Sequence, residues 1–465
     1  MKNLLILLLG IALFSGCTSR TEKTSPAGRP NIIFILTDDQ RWDALGYAGN
    51  DVIHTPEMDR MAREGIYFRN AFVTTPICAA SRASIFTGMQ ERTHGYTFQQ
   101  GNLKQPYADV SYPALMRKSD YYTGFFGKFG VEYEYVDSLF DVVESYDRNG
   151  KFSDRRGYYY KTIGQDTVHL TRYTGWQAMQ FIENVPEGKP FCLSLSFSAP
   201  HAHDPADEQY FWQQEMNALY EEHLFGPPKM AEDCWFEAQP DYVRNGFNRT
   251  RWHWRFDTPD KYQHSMKGYY RMISGVDREI GNIRQLLEEK GLAENTIIIL
   301  MGDNGYFLGE RQLAGKWLMY ENSLRVPLII FDPRSDIHRE VEDLALNIDI
   351  PSTLFEMAGL DIPEAWQGTS LAGYTRNESP AAQREIFLCE HLWDFDPIHP
   401  SEGVRTKKWK YFRYQRDLNH EELYDLENDP DEMNNLASLS QHLKILEKLR
   451  IETDSLSLVY EMRKK

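Results

Sequence analysis

Cysteine is scarce in this 465-residue chain: there are five, and no thiolate or histidine spacing suited to zinc accompanies them. Basic residues are outnumbered, 51 Lys and Arg against 68 Asp and Glu, for a net charge of −17. No basic patch dominates, which argues against a nucleic-acid partner. An anionic substrate would have to be held by a local cluster of Lys, Arg, His and metal, not by the overall field. Beyond residue 14 no apolar stretch is long enough to span a bilayer. Internal repeats and low-complexity tracts are also missing. What is present is an ordinary soluble composition, 42% hydrophobic and 26% charged. The length allows one large domain with a smaller companion, or two to three ordinary domains.

The N-terminus speaks to compartment. Lys2 precedes an apolar run over 4–14, too short for a transmembrane helix, and Phe14-Ser15-Gly16-Cys17 looks like a bacterial lipobox. The expectation is a lipoprotein signal peptide over 1–16, lipidation of Cys17, and a flexible tether over 17–29. A simple cleaved signal peptide is the alternative. Either implies export, to the periplasm or cell envelope of a bacterium; in the lipoprotein case the membrane is met only through the N-terminal lipid anchor. Among the later cysteines, Cys192, Cys234 and Cys389 are an odd number, so at most one disulfide fits.

Asn31-Ile32-Ile33-Phe34-Ile35-Leu36-Thr37 reads as a strand buried on both faces of a parallel sheet, and it ends in Asp38-Asp39. Open α/β sheets build their sites at such carboxyl ends. Thr55-Pro56 starts a helix that Gly65 stops, and a second helix is expected around 114–118. Cys78 falls at or near the start of a short apolar helix, where unpaired N–H groups favour an anion, with Arg82 one turn on. Further strands deliver Lys128 after 121–127, His201 after 191–200, and Asp303-Asn304 after 296–301. The stretch 204–265, rich in aromatics and including Trp252-His253-Trp254, reads as an irregular excursion that shapes a pocket or covers the core. An apolar stripe predicts a helix over 268–290. The alternation predicts an α/β fold, a large mostly parallel sheet sandwiched by helices, over 30–378. A polar, Pro-bearing boundary near 375–385 precedes a smaller α+β subdomain over 379–465. Its short segments at 385–389, 403–405 and 410–413 suit an antiparallel sheet, packed by a helix over 439–459.

These strand ends bring together Asp38, Asp39, Asp303 and Asn304, oxygen donors suited to Ca²⁺ and less well to Mg²⁺. Arg82, Lys128, His201 and Lys316 surround them. Cation and bases would hold anionic oxygens while a histidine protonates a departing alcohol, as transfer of a tetrahedral oxyanion requires.

The pattern Cys78-Ala79-Ala80-Ser81-Arg82 resembles the modification signature of type I sulfatases of the alkaline phosphatase superfamily. The likeness runs from residue 30 to the end, through Thr37-Asp38-Asp39-Gln40, Gly127-Lys128, Ala199-Pro200-His201, Gly302-Asp303-Asn304-Gly305, Gly309-Glu310 and Gly315-Lys316. It ends in Glu422-Leu423-Tyr424-Asp425-Leu426-Glu427-Asn428-Asp429-Pro430. The resemblance implies that a formylglycine-generating enzyme oxidises Cys78 to formylglycine, whose hydrate is the nucleophile. It implies that Asp38, Asp39, Asp303, Asn304 and an oxygen of modified Cys78 bind Ca²⁺. Arg82 and Lys128 would stabilise the hydrate, Lys316 would grip the sulfate, and His201 would protonate the leaving alcohol. Two positions depart from the family: Gly130 stands where many relatives carry a histidine that assists sulfate release, and Arg311 stands where many have histidine after Gly-Glu. The expected substrate is a sulfated carbohydrate, a glycosaminoglycan or mucin-type glycan fragment, with Arg311, Trp252, His253, Trp254, His391 and Arg405 as candidate specificity residues. The alternatives are a phosphomonoester or phosphodiester hydrolase on the same fold, and an inactive glycan-binding lipoprotein.

Overall fold

The architecture follows from Asn31–Thr37 (β1), in which all seven residues are buried because the sheet is covered on both sides. In this computed structural model, residues 28–98, 101–146, 158–204, 206–376, 378 and 383–464 are described. The expected signal peptide, Cys17 and all but the last two tether residues lie outside them. The other strands of the main sheet are Ile66–Phe68 (β2), Tyr122–Gly127 (β3), Val142–Ser145 (β4), Phe191–Phe197 (β5), Thr296–Gly302 (β6), Leu328–Phe331 (β7) and Arg339–Val341 (β8). They lie in the order β8-β2-β7-β6-β1-β5-β3-β4. β1 pairs in parallel with β5 and β6, and β3 in parallel with β5 and β4. Only β7 runs against both neighbours.

Side chains alternate across β1 to opposite layers. Ile32, Phe34 and Leu36 join one core with Ala83, Ile85 and Phe86 of Cys78–Thr87 (α2), and with Asp349–Met357. Ile33 and Ile35 join the other with Pro56–Glu64 (α1) and the long helix Pro259–Glu289. Each fully buried Ile, Leu or Phe contributes about 1.5–3 kcal/mol of transfer free energy, so a strand apolar on both faces is stable only where helices cover both.

The C-terminal part is a four-stranded antiparallel sheet of Ile386–His391 (β9), Ser401–Thr406 (β10), Trp409–Tyr414 (β11) and Asp417–Asp425 (β12). Helix Leu443–Glu461 packs on it through Leu446 and Leu449. Sequence patterning anticipated three of these strands; β12 was missed because its polar residues obscure any alternation.

One expectation is corrected. The stretch 204–265 is not irregular throughout: it holds short helices, including Phe247–Arg255 (α3), and the long helix begins at Pro259, well before 268. Thr258 caps that helix, its hydroxyl accepting from the Lys261 N–H, with Pro259 in the first turn. Dense aromatics hid the apolar stripe. All four described cysteines are free: Cys78, Cys192 and Cys389 are buried, and Cys234 is exposed.

Candidate active site

β1, β6, β5 and β3 are parallel neighbours, so their carboxyl ends point to one place. Asp38 and Asp39 follow β1, Asp303 and Asn304 follow β6, His201 lies beyond β5, and Lys128 follows β3. Cys78 opens α2 after the extended Ile77 (φ −145°), beside the helix's unpaired first-turn N–H groups.

Asp39 occupies the left-handed region (φ 70°), a conformation that costs free energy for a non-glycine residue. Its N–H donates to Asp303 Oδ1 at 3.1 Å, which locks the turn beside β6. Asn304 Nδ2 donates to Asp39 Oδ1 at 2.6 Å, and Lys316 Nζ also bonds that oxygen. Arg82 Nε donates to Asp303 Oδ2 at 2.8 Å, while Lys128 Nζ pairs with Asp38 Oδ2. Gly127 (φ +108°) is required here: a Cβ would fall 1.9 Å from the carbonyl oxygen of Ser196, which accepts from the Lys128 N–H at 2.9 Å. That tight contact aims Lys128 at Asp38.

Burial pushes the Asp38 carboxyl up, but Lys128, Lys316 and Arg82 outweigh it and hold it far below the usual carboxylate range. For Asp303, burial and then the Asp38 charge win over Arg82 and raise it. Burial works against the charged forms of Lys128 and Lys316, yet Asp38 and Asp39 respectively keep both ammonium groups more basic than normal. Cys78 lies within electrostatic reach of Arg82, Lys128 and Lys316. His201 turns Nδ1 to the carbonyl of Ala202, and its Nε2 lies 3.5 Å from Asp39 Oδ2.

Three carboxylates balance three cations in this buried cluster, and its oxygens are under-used. Asp38 Oδ1, Asp39 Oδ2 and Asn304 Oδ1 are buried and accept no hydrogen bond. Orphaned buried acceptors are costly unless something binds them. Ligand atoms of Asp38, Cys78 and Asp303, and of Asp38, Asp39 and His201, lie within 4.8 Å of one another. Hard carboxylate and amide oxygens fit a hard divalent cation. Adding one would leave the cluster with surplus positive charge, matched to an anionic ester.

The cluster opens into a cavity of about 940 Å³ lined by Cys78, Lys128 and His201, with rings of Tyr96, Phe129 and Tyr133 on its wall. His203, Asp204, Arg251, Glu132 and Glu134 also line it. None of these five had been singled out as a site residue, because no local pattern marks them; His203 alone had a signal, two residues after His201.

The expected specificity residues are not brought to this cavity. Arg311 is buried, donating to the carbonyls of Asp431 and Glu432 and packing 4.3 Å over Tyr320, so it ties the two parts of the chain together. Arg405 faces Glu321 at 3.4 Å and packs on Phe72, and His391 is wholly buried in β9. Trp252 borders a separate cavity of about 370 Å³. On the same helix, His253 is exposed beside Asp257 and Trp254 packs edge-on against Phe247. Residue type alone cannot say which face of a helix or strand meets a pocket. At Gly130 (φ +72°) a Cβ would approach Arg82 Cδ to 2.7 Å, so in this backbone the position leaves no room for histidine.

The family model described as Sulfatase matches residues 30–360, and that described as N-sulphoglucosamine sulphohydrolase, C-terminal, matches 309–458. An N-acetylglucosamine-6-O-sulfatase of Bacteroides thetaiotaomicron is 27% identical, over 95% of this chain and 88% of that protein. An arylsulfatase of Clostridium perfringens is 28% identical, over 91% and 93% respectively. A structure solved with its substrate D-glucosamine-2-N,6-O-disulfate superposes with a TM-score of 0.79 at 24% identity, covering 93% of this chain and 98% of that one. A phosphonate monoester hydrolase of Agrobacterium radiobacter superposes at 0.76 with 20% identity, over 93% and 96%.

Proposed function

We propose, from the premise that this chain belongs to the sulfatase family and is a sulfuric ester hydrolase, that it removes sulfate from a sulfated carbohydrate. The observation that carries the reading is the buried convergence of Asp38, Asp39, Asp303 and Asn304 with Arg82, Lys128 and Lys316 around Cys78, at the floor of a ring-lined cavity. Flat apolar rings suit sugar faces, and relatives named for sugar sulfates support the substrate class.

Asp38, Asp39, Asp303 and Asn304 would hold a divalent cation, Ca²⁺ by their chemistry, which when bound supplies positive charge to sulfate oxygens. An aldehyde made from Cys78 by a formylglycine-generating enzyme would supply, as its hydrate, an oxygen nucleophile. The chain's own groups do the rest. Lys128 and Lys316 stay protonated because carboxylates outweigh burial, so they present fixed charge to the ester's anionic oxygens. Arg82 is anchored by Asp303, and its Nη2 makes no hydrogen bond. A carbonyl only accepts, so His201 Nδ1 keeps its proton and donates it to Ala202 O, and Nε2 is the atom that would give a proton to the leaving alkoxide. The N-terminal run over 4–14 and Cys17 support export as an envelope lipoprotein.

The test is inorganic sulfate release across a panel of sulfated mono- and oligosaccharides, using protein co-expressed with a formylglycine-generating enzyme. Mass spectrometry verifies the aldehyde at Cys78, and phosphate esters and Cys78→Ala run alongside. Release from sugars that is lost in Cys78→Ala is the expected result. Normal turnover by that variant would overturn the mechanism. Faster release of phosphate than of sulfate would favour the phosphoester reading.

A further inference from the structure

β5 carries two buried serines on one face. Leu193, Leu195 and Phe197 join the core layer of the long helix, so Ser194 and Ser196, in alternation, face α2. A buried hydroxyl is costly unless it is bonded. Ser194 Oγ lies 2.7 Å from Tyr112 Oη. Ser196 Oγ accepts from Arg82 Nη1, and the Ser196 carbonyl accepts from the Lys128 N–H at 2.9 Å.

One residue of β5 thus touches both Arg82 and Lys128, the groups that would stabilise the nucleophile. Arg82 closes the ring of bonds, because its Nη1 also donates to the Lys128 carbonyl. Its Nε donates to Asp303 Oδ2 at 2.8 Å, and its Cδ runs beside Gly130. With Nε and Nη1 committed, Nη2 is the remaining edge of the guanidinium. It makes no hydrogen bond among the described residues and lies 3.9 Å from Asp38 Oδ2. Behind Arg82, Phe34, Phe86 and Phe125 line a space of about 10 Å³, an apolar backing in which an unpaired N–H is unfavourable.

We infer that Ser196 is a positioning residue for the nucleophile. Its hydroxyl orients the Arg82 guanidinium so that Nη2 serves the oxygen carried at position 78, while its carbonyl fixes the backbone of Lys128. The inference rests on the sulfatase reading above and adds a residue to that same site.

The experiment compares Ser196→Ala, Ser196→Cys and Ser194→Ala with the native chain, the aldehyde at Cys78 being quantified in each by mass spectrometry. Ala and Cys both remove the oxygen acceptor, but Cys fills the space that the hydroxyl occupied. Expected is a fall in kcat of about tenfold in both Ser196 variants, below the roughly 10²–10³-fold cost of losing a donor that touches the reacting atoms. KM should move by less than about twofold, because Lys316, which would grip the sulfate, is untouched. The fall should be equal for aryl and sugar sulfates, since a misplaced nucleophile slows every ester alike. Ser194→Ala, which unpairs Tyr112 instead, should keep kcat within about twofold. A further readout needs no aldehyde: in unmodified protein labelled with ¹⁵N-arginine, rotation of the Arg82 guanidinium about Cζ–Nη1 should be faster in both Ser196 variants. Native kcat in Ser196→Cys would mean that the hydroxyl only fills space, and it overturns the inference while leaving the sulfatase reading standing. An equal fall in Ser194→Ala, or unchanged rotation of Arg82, does the same. No release from any ester by native protein with the verified aldehyde overturns the reading, and this inference with it.

Discussion

His201 shows how much one side chain's partner decides. Because Nδ1 is committed to the carbonyl of Ala202, only Nε2 can exchange a proton with substrate. Replacing it by alanine should matter in proportion to how badly the leaving group needs that proton. His201→Ala is expected to lower kcat for alkyl and sugar sulfates by about 10²–10⁴-fold, and for activated aryl sulfates far less. Equal losses on both, measured by steady-state kinetics, would remove His201 from the acid role. At this scale Asp38, Asp39, Asp303, Asn304 and Lys128 were legible in the sequence, since each directly follows an apolar run. Arg311, Arg405 and His391 were not: each looked available, but Arg311 and Arg405 are held by contacts between distant parts of the chain, and His391 is wholly buried in β9.

Lys316 owes its position to an element remote in sequence. Asn248, buried near the start of α3, donates from Nδ2 to the carbonyls of Ala314 at 3.0 Å and Lys316 at 2.9 Å. Those bonds hold both sides of Gly315, beside which Arg251 packs. Asn248 is thus a positioning residue. Asn248→Ala leaves two buried acceptors unpaired and should cost about 1–3 kcal/mol of stability. It should also loosen the Lys316 ammonium, lowering kcat/KM well beyond the effect of an equally destabilising substitution elsewhere. Calorimetry for stability beside kinetics for kcat/KM checks this, and matched losses in both variants would reduce Asn248 to a structural role. The sequence showed the Gly315-Lys316 motif but not the helix that grips it, because a 66-residue separation carries no local pattern.

Across the whole molecule, the C-terminal sheet meets the α/β part through buried charge. Lys410 lies between Glu321 at 2.8 Å and Glu432 at 2.7 Å, and Arg92 between Glu390 at 2.9 Å and Glu402 at 2.8 Å. Beside the latter pair, Glu91 accepts from Thr75 Oγ1 and the Leu392 N–H, both at 3.2 Å. Burial, then the neighbouring Glu390 charge, pushes Glu91 up from 4.5 to about 8. The folded chain therefore retains this proton where the unfolded chain releases it. The stabilising contribution is complete below the unfolded value and is lost progressively as pH rises from 4.5 to about 8. Glu91→Gln, which keeps a neutral side chain at every pH, should flatten the decline of Tm over that window; a decline as steep as the native one would place its cause elsewhere.

The sequence alone determined the strand-rich α/β class, the oxygen donors at the carboxyl ends of β1 and β6, Lys128 after β3, and Cys78 at a helix start. These follow from local hydrophobic period and from residues directly next to it, which depend on few neighbours. Only the tertiary structure decided which basic groups remain for substrate, which glycine leaves space for Arg82, and which carboxylates edge the cavity. Those outcomes depend on pairing and burial between segments far apart in the chain, where a charge is available or spent according to the partner that folding brings to it.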